Sequence, residues 1–237
     1  MSLIHAYKQV VLWGGRGSLD SIRHIYRSFH ETLRKLGVTS HWVSDDEANR
    51  SMITPGSLVF SVDVAGHHLG HPKAGVDYLL HNFPATHPVF DGHQPENLVR
   101  LQVFTDDALQ WEHDTWDTFR IYHRGGRTLF QPWGTNLLAE EFLDPIWNPT
   151  ARDCSFVGAI WDDGGLGNSG LIARLTTALR SRGLRLDHRT HVSDDENVQA
   201  VRTSRIAPAF AGPWQVEHNY LPCRVFKNVS YGALAVT

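Results

Sequence analysis

The stretch QVVLWGGRGSLDSIRHIYRSFHETLRKLGVTSHWV, residues 9–43, contains the pattern from which the fold can be predicted. Gln9–Trp13 is an apolar run of strand length, and glycines follow it directly. Apolar side chains then recur at helical spacing up to Gly37, which is placed to end that helix. A second apolar run, Val38–Val43, predicts the next strand. Strand, glycine-rich loop, helix and strand in this order are typical of a parallel α/β sheet.

The alternation of strands and helices continues along the chain. Ser44–Glu47 predicts a capping box that opens a short helix, and Ser57–Val62 predicts a third strand. Residues 97–104 are ambiguous between helix and strand, and residues 120–131 favour a β-hairpin. The further predicted elements are strands at 78–83 and 154–160, a helix at 169–182, a strand within 184–192, a capping box at 193–196 followed by its helix, and a strand at 205–210.

A change of character between residues 132 and 153 divides the chain. Pro132, Pro145 and Pro149 occur there with scattered aromatic residues. The pattern after this segment repeats the logic of the first half. We therefore predict an α/β protein of two Rossmann-like domains with parallel sheets flanked by helices. Their bounds are residues 1–131 and 154–237, and residues 132–153 form the linker.

The composition is that of a folded protein without a strong charge. The chain has 237 residues, 41% hydrophobic and 20% charged, which is enough to bury a core. Its formal net charge of −3 argues against a protein that holds nucleic acid by bulk charge. The N-terminus lacks the pattern of a signal peptide, and no apolar run is long enough to span a membrane. Cys154 and Cys223 match no metal-ligand spacing, so we expect a reduced, cytoplasmic setting.

The C-terminal stretch LPCRVFKNVSYGALAVT, residues 221–237, carries the strongest signal for function. Pro222 suits the first turn of a helix, Gly232 suits its end, and Ala233–Val236 predicts a short strand. An arginine at a helix N-terminus, together with free N–H groups, can bind an anion such as phosphate. At 3.6 residues per turn, one helix face carries Val225, Phe226 and Val229, and the opposite face carries Arg224, Lys227, Asn228 and Tyr231.

This stretch resembles the group 1 glycosyltransferases of the GT-B fold, in particular their spore-protein-like branch. The match is RVFKNVSYGALAVT, residues 224–237. It is similar to the family's pattern of Arg, an apolar residue, Phe, Glu, a short helix, Gly and an apolar strand ending in Thr. Supporting matches are FVGA at 156–159 and PWGT at 132–135. The resemblance covers most of residues 130–237, and over residues 1–129 it rests on architecture.

The resemblance implies that the second domain binds a nucleotide sugar and the first domain an acceptor. By position, Gly158 would let the backbone approach the diphosphate, and Arg224 would neutralise it. Lys227 stands where the family has Glu, which leaves the donor and the stereochemistry of transfer open. Lys227 and Asn228 would instead add contacts to the donor. The family's second domain continues for several strands, so we expect the second domain of this chain to be incomplete.

Further donor-binding candidates lie in two loops. Gly15 and Arg16 follow a strand and precede a helix, so their loop can cradle a phosphate and direct Arg16 into a cleft. Trp214 and Glu217 lie in a predicted loop before the C-terminal helix. Trp214 would stack on a base and Glu217 would accept hydrogen bonds from sugar hydroxyls. A tryptophan folded over the core is an equally good interpretation of Trp214.

Asp63 and His67 are the candidates for the general base that deprotonates an acceptor hydroxyl. Both lie in the loop after the third predicted strand, at the edge where α/β sheets place ligands. Imidazole, or a carboxylate of raised pKa, can perform that step near neutral pH. His67, His68 and His71 also suggest a metal. The glycines and Pro72 among them disfavour a helix, so we predict no metal site.

These features predict a hexosyltransferase-type glycosyltransferase that moves a sugar from a nucleotide sugar to an acceptor hydroxyl. The acceptor is a glycan, a small molecule or a protein, and no metal or other cofactor is required. Two alternatives stay open. One is a non-catalytic nucleotide-sugar or glycan-binding protein of the same architecture, and the other is a sugar-nucleotide epimerase. We expect no nucleic-acid partner and no membrane span.

Overall fold

The structure is a computed structural model of the chain. It describes residues 6–14, 16, 21–62, 68–81, 97–102, 127–130, 132–151, 153–162, 164–217 and 220–236. The described residues fall into two compact units, one within residues 6–130 and the other within residues 132–236. Each unit is an α/β arrangement built on parallel strands.

The first unit contains a parallel sheet with six described strands in the spatial order β2-β1-β3-β4-β5-β6. Within the ambiguous segment at 97–104, Leu98–Gln102 is therefore a strand. Residues 127–130 pair in parallel with it, and the other arm of the predicted hairpin lies outside the described residues. The strands are β1 (Gln9–Trp13), β2 (Ser40–Val43), β3 (Ser57–Val62), β4 (Asp77–His81), β5 (Leu98–Gln102) and β6 (Arg127–Phe130); helix α1 is Ser21–Lys35, and a 3₁₀ helix is Glu47–Met52.

The apolar runs of these strands form the core of the first unit. Strand β1 is buried along Val10–Trp13, as expected for a central strand of a parallel sheet. Helix α1 packs on the sheet through Phe29, whose ring stacks on Phe60 with centroids 4.9 Å apart. Tyr26 is fully buried beside them, and its hydroxyl donates a hydrogen bond to the carbonyl of Trp13 at 2.7 Å.

The C-terminal ends of the helices follow the predicted glycine signals, whereas the start of the short 3₁₀ helix does not follow its predicted signal. Gly37 has a φ of +73° directly after α1, and Gly183 and Gly232 have similar values after later helices. In the short 3₁₀ helix, the N-cap is Asp46 and not Ser44. The Asp46 side chain accepts a hydrogen bond from the backbone N–H of Asn49.

The second unit has two pairs of parallel strands, β7 with β8 and β9 with β10. Two backbone hydrogen bonds, from Ser155 to Ile206 and from Arg205 to Asp153, tie β7 to the residues just before β9. The pairs therefore lie side by side. The strands are β7 (Asp153–Val157), β8 (Arg185–Arg189), β9 (Ala207–Pro208) and β10 (Ala235–Val236); the helices are α2 (Ser169–Arg180), α3 (Asp194–Thr203), α4 (Pro213–Glu217) and α5 (Cys223–Ser230).

The proline-containing segment predicted as a linker is packed onto the second unit. The hydroxyls of Thr135 and Ser230 are 2.6 Å apart. The backbone N–H of Leu143 donates to the backbone carbonyl of Ser230 at 2.9 Å. The N–H of Ile146 donates to the carbonyl of Gly232 at 2.7 Å. These contacts fasten the segment to the end of α5.

Candidate functional site

The carboxyl end of β7 brings several candidate site residues together. Phe156 is fully buried, and the strand is followed by Gly158 with a φ of +144°, which side-chain-bearing residues rarely adopt. Ligands of parallel α/β sheets bind at the carboxyl ends of strands. We call Phe156, Gly158, Tyr220 and Arg224 the arginine site.

Arg224 is the central residue of the arginine site. Its Cζ lies 4.7 Å from the centroid of the Phe156 ring, and its Nη2 donates a hydrogen bond to the carbonyl of Phe210 at 3.1 Å. Its Nε is enclosed by protein and makes no hydrogen bond. Among the residues that the structure describes, no carboxylate forms an ion pair with this guanidinium.

Burial controls the electrostatics of the arginine site. Burial lowers the pKa of Arg224, against smaller opposing influences of Cys223 and Tyr220. Burial also raises the pKa of Tyr220 to about 12, Cys223 acts in the same direction, and Arg224 opposes it. A cation that has lost much of its water and has no counter-ion is poorly stabilised. An anion bound at Arg224 would relieve this cost.

Gly158 is fixed from three directions. Its N–H donates to the carbonyl of Arg189 at 2.9 Å, and its own carbonyl lies 2.8 Å from Nε2 of His188. A Cβ built on Gly158 would lie 2.5 Å from Nη1 of Arg224. Arg224 thus packs directly against the backbone at this position, which explains why the residue has no side chain.

The loop after Gly158 is organised by Asn168, which is fully buried. Its Oδ1 accepts a hydrogen bond from the N–H of Trp161 at 3.0 Å, and its Nδ2 donates to the carbonyl of Ala159 at 3.1 Å. The N–H of Ser169 donates to the carbonyl of Trp161. These bonds give the loop between β7 and α2 a fixed path.

The segment around Trp214 packs against that same loop. Residues 213–217 form the short helix α4 and not the predicted loop. The backbone N–H of Trp214 donates to the carbonyl of Leu166 at 3.3 Å, and the side chain of Trp214 is half-buried. A Cβ on Gly212 would lie 2.7 Å from that carbonyl. Glu217 is exposed. The structure therefore places Trp214 beside the loop that follows the arginine site.

Helix α5 and the turn after it bury polar residues and expose an apolar one. Asn228 is only 4% exposed, Tyr231 is fully buried, and the apolar Val229 is 55% exposed. The Nδ2 of Asn228 donates to the carbonyl of Ala207 at 2.9 Å, so this amide holds β9. Asn228 and Tyr231 can be buried because their polar side-chain groups are hydrogen-bonded. Lys227 is half-buried.

The remaining predicted residues belong to the first unit. Arg16 follows β1 and is exposed. Gly15, Asp63 and His67 lie outside the described residues. Gly14, just before Gly15, has a φ of +88° and accepts a hydrogen bond from the indole of Trp42 at 2.8 Å. The strand order reverses between β1 and β3, which is the position where α/β sheets bind ligands.

Three residues of the second unit were missed from the sequence. Asn168 directly precedes a helix, and this is a usable N-cap signal. Tyr220 stands four residues before Arg224 but lies outside the helix, which begins after Pro222. No periodic pattern in the sequence therefore connects the two residues. His188 lies inside a strand of mostly charged residues, and no sequence pattern indicated its contact with Gly158.

Comparison of the chain with protein-family models and with curated protein sequences gives no match. The resemblance to glycosyltransferases therefore rests on the quoted residues. Among the described residues, no group of three or more His, Cys, Asp or Glu side chains is arranged to hold a metal ion. In the same part of the chain, none of the helices has both the length and the apolar character needed to cross a bilayer.

Proposed function

We propose that this protein is a glycosyltransferase that binds the diphosphate of a nucleotide-sugar donor at Arg224. The proposal includes a GT-B-like pair of Rossmann-like domains, with the second domain on the donor side and the first on the acceptor side. The acceptor hydroxyl would be deprotonated by Asp63 or His67. These assignments come from the sequence resemblance, and the geometry of the arginine site supports the first of them.

The observation that carries the proposal is the state of the Arg224 guanidinium. It is largely enclosed, it packs on Gly158 at the end of a parallel strand, and no described carboxylate neutralises it. Buried arginines usually pair with carboxylates or bind phosphates, because an uncompensated buried charge is costly. The Phe210 carbonyl and the Phe156 ring stabilise the cation without cancelling its charge.

An unpaired guanidinium at this position would contribute to catalysis through the leaving group. Cleavage of the bond between the sugar and the diphosphate leaves negative charge on the diphosphate. Donors already in place when that charge develops lower the barrier, and they do so without a metal. Arg224 would act together with Lys227 and the first N–H groups of α5, which have no acceptor within the helix.

Isothermal titration of the full-length chain tests the proposal. The ligands are UDP, GDP, dTDP, CMP and inorganic pyrophosphate. Wild-type protein should bind at least one nucleotide, and Arg224→Ala should weaken that binding by about 30-fold or more, as expected for loss of a charge-assisted contact. Arg224→Lys should restore part of the affinity, because the charge remains and the planar fork is lost.

Arg182→Ala is the matched control, because it removes the same charge from an exposed arginine beyond the end of α2. Its affinity should equal that of wild type. Equal affinities of Arg224→Ala and wild type would remove the site assignment. Absence of binding to every ligand would remove the proposed function.

A second candidate is a nucleotide-sugar-binding protein without turnover. It is favoured by Lys227, which has only donors where the resembling family has a glutamate, and by Asn228, whose amide is engaged by Ala207. Assays of sugar transfer and donor hydrolysis separate the two candidates. Nucleotide binding with no release of diphosphate would favour the binding protein.

A further inference from the structure

His188 lies next to the arginine site on the neighbouring strand. Parallel pairing sets His188 of β8 opposite Phe156 of β7, and the two ring centroids are 5.9 Å apart. The same Phe156 ring lies under the Arg224 guanidinium. His188 is exposed, and it therefore shares with Arg224 a contact to Phe156 while remaining open to solvent.

The hydrogen bond to Gly158 assigns the tautomer of His188. Its Nε2 lies 2.8 Å from the Gly158 carbonyl oxygen, and a carbonyl only accepts hydrogen bonds. The hydrogen must therefore be on Nε2. In the neutral ring, Nδ1 is then a lone-pair acceptor. This Nδ1 makes no hydrogen bond to any residue within the described parts of the chain.

The lone pair on Nδ1 of His188 and the guanidinium of Arg224 together select a ligand with two chemical features. Arg224 requires an anion, and the lone pair of Nδ1 requires a hydrogen-bond donor. The diphosphate of a nucleotide sugar is esterified at both ends, so its oxygens carry no hydrogen at neutral pH and are repelled by that lone pair, whereas a sugar hydroxyl can donate to it. Gly158 contacts both side chains, because its carbonyl bonds to His188 and its backbone packs against the Arg224 guanidinium.

We propose that Nδ1 of His188 accepts a hydrogen bond from a hydroxyl of the sugar attached to the diphosphate at Arg224. His188 is thereby a specificity residue that distinguishes a sugar diphosphate from a bare diphosphate. This inference rests on the proposed function, because it presupposes an anion at Arg224. It assigns a ligand contact to His188 on β8, a strand in which the sequence indicated no site residue.

Titrations of the full-length chain with inorganic pyrophosphate, UDP, UDP-glucose and GDP-mannose test this inference. Pyrophosphate has no sugar, UDP has ribose, and the nucleotide sugars add a hexose. The decisive variant is His188→Gln. The glutamine amide can still donate to the Gly158 carbonyl from the position of Nε2, but it has no acceptor at the position of Nδ1. His188→Ala removes both groups.

We expect His188→Gln to bind pyrophosphate as tightly as wild type and to bind the sugar-bearing ligands about tenfold more weakly. A loss seen already with UDP assigns the hydroxyl to ribose, and a loss confined to UDP-glucose or GDP-mannose assigns it to the hexose. His71→Gln, at an exposed histidine of the first unit, should leave every affinity unchanged.

Other outcomes would overturn the inference. Wild-type affinity of His188→Gln for the sugar-bearing ligands would show that the histidine only holds Gly158. Equal weakening of pyrophosphate and nucleotide sugars would assign it to the anion. Wild-type binding of pyrophosphate without added affinity for any sugar would also overturn it, and the proposal for Arg224 would survive. Failure of wild type to bind any ligand removes both proposals.

Discussion

At the scale of single residues, the position of Arg224 restricts which residue can occupy position 158. The guanidinium occupies the volume into which any side chain at position 158 would extend, and all three atoms nearest to a Cβ there belong to Arg224. The φ of +144° adds a backbone restriction that is independent of this contact. A change at position 158 therefore acts on both stability and the placement of the cation.

Gly158→Ala is expected to destabilise the protein by about 1–3 kcal/mol, because a residue with a Cβ is strained at this φ. The new methyl group should also displace the guanidinium and weaken nucleotide binding. Urea unfolding and calorimetric titration measure the two effects. In an Arg224→Ala background the steric part should vanish and the backbone part should remain, so the two changes should not be additive.

Gly170→Ala serves as the control for that prediction. Gly170 lies in the first turn of α2, its φ is not positive, and no atom outside its own helix lies within 4 Å of the position that a methyl group would occupy. Alanine there should be neutral or stabilising by about 0.5–1 kcal/mol. A similar loss of stability in both variants would contradict the role given to Gly158.

At the scale of elements, α5 shows how hydrogen bonding can outweigh amphipathic pattern. Asn228 and Tyr231 of the face predicted as polar are buried, whereas Val229 of the apolar face is exposed. The Asn228 amide reaches the Ala207 carbonyl, and the Tyr231 hydroxyl donates to Oδ1 of Asn136 at 2.6 Å. Ser230 contacts the hydroxyl of Thr135. Each of these three polar groups has a partner, so burying them costs little.

Alanine at the polar position Asn228 should destabilise the protein more than alanine at the apolar position Val229. Side-chain polarity alone would suggest the reverse. Asn228→Ala removes the buried hydrogen bond from this amide to the Ala207 carbonyl and should cost about 1 kcal/mol or more. Val229→Ala removes an exposed side chain and should change stability by less than about 0.5 kcal/mol. Urea midpoints of the two variants test this, and a larger loss for Val229→Ala would contradict the observed orientation.

At the scale of the whole molecule, buried tyrosines make stability depend on alkaline pH. Burial raises the pKa of Tyr78 in the first unit and of Tyr220 and Tyr231 in the second. For Tyr220 the folded value is about 12, compared with 10 in an unfolded chain. Between these values the unfolded state releases a proton that the folded state retains. Stability should therefore be complete below pH 10 and fall as the pH rises above it.

The expected loss from Tyr220 alone is on the order of 2 kcal/mol between pH 10 and 12. Urea unfolding at a series of pH values, followed by tyrosinate absorbance, measures it. Tyr220→Phe cannot ionise, so its stability should decline less steeply over this range. Identical slopes for Tyr220→Phe and wild type would show that Tyr220 does not contribute.

The candidate site was only partly predictable at this scale. Arg224 was proposed because an arginine in the first turn of a helix is a local pattern, and Gly158 was proposed from the family resemblance. Their direct packing, and the contact of His188 with the Gly158 carbonyl, join residues from three separate elements. No local pattern carries such information.

Local sequence patterns were sufficient to predict the parallel α/β class and the ends of the main helices. Runs of apolar residues, Gly37, Gly183 and Gly232 act within a few neighbouring positions, where spacing and φ restrictions govern the outcome. The buried face of α5 and the surroundings of Arg224 became known only from the folded chain. Both depend on whether distant carbonyls and amides can satisfy a buried polar group, and that is a property of the assembled fold.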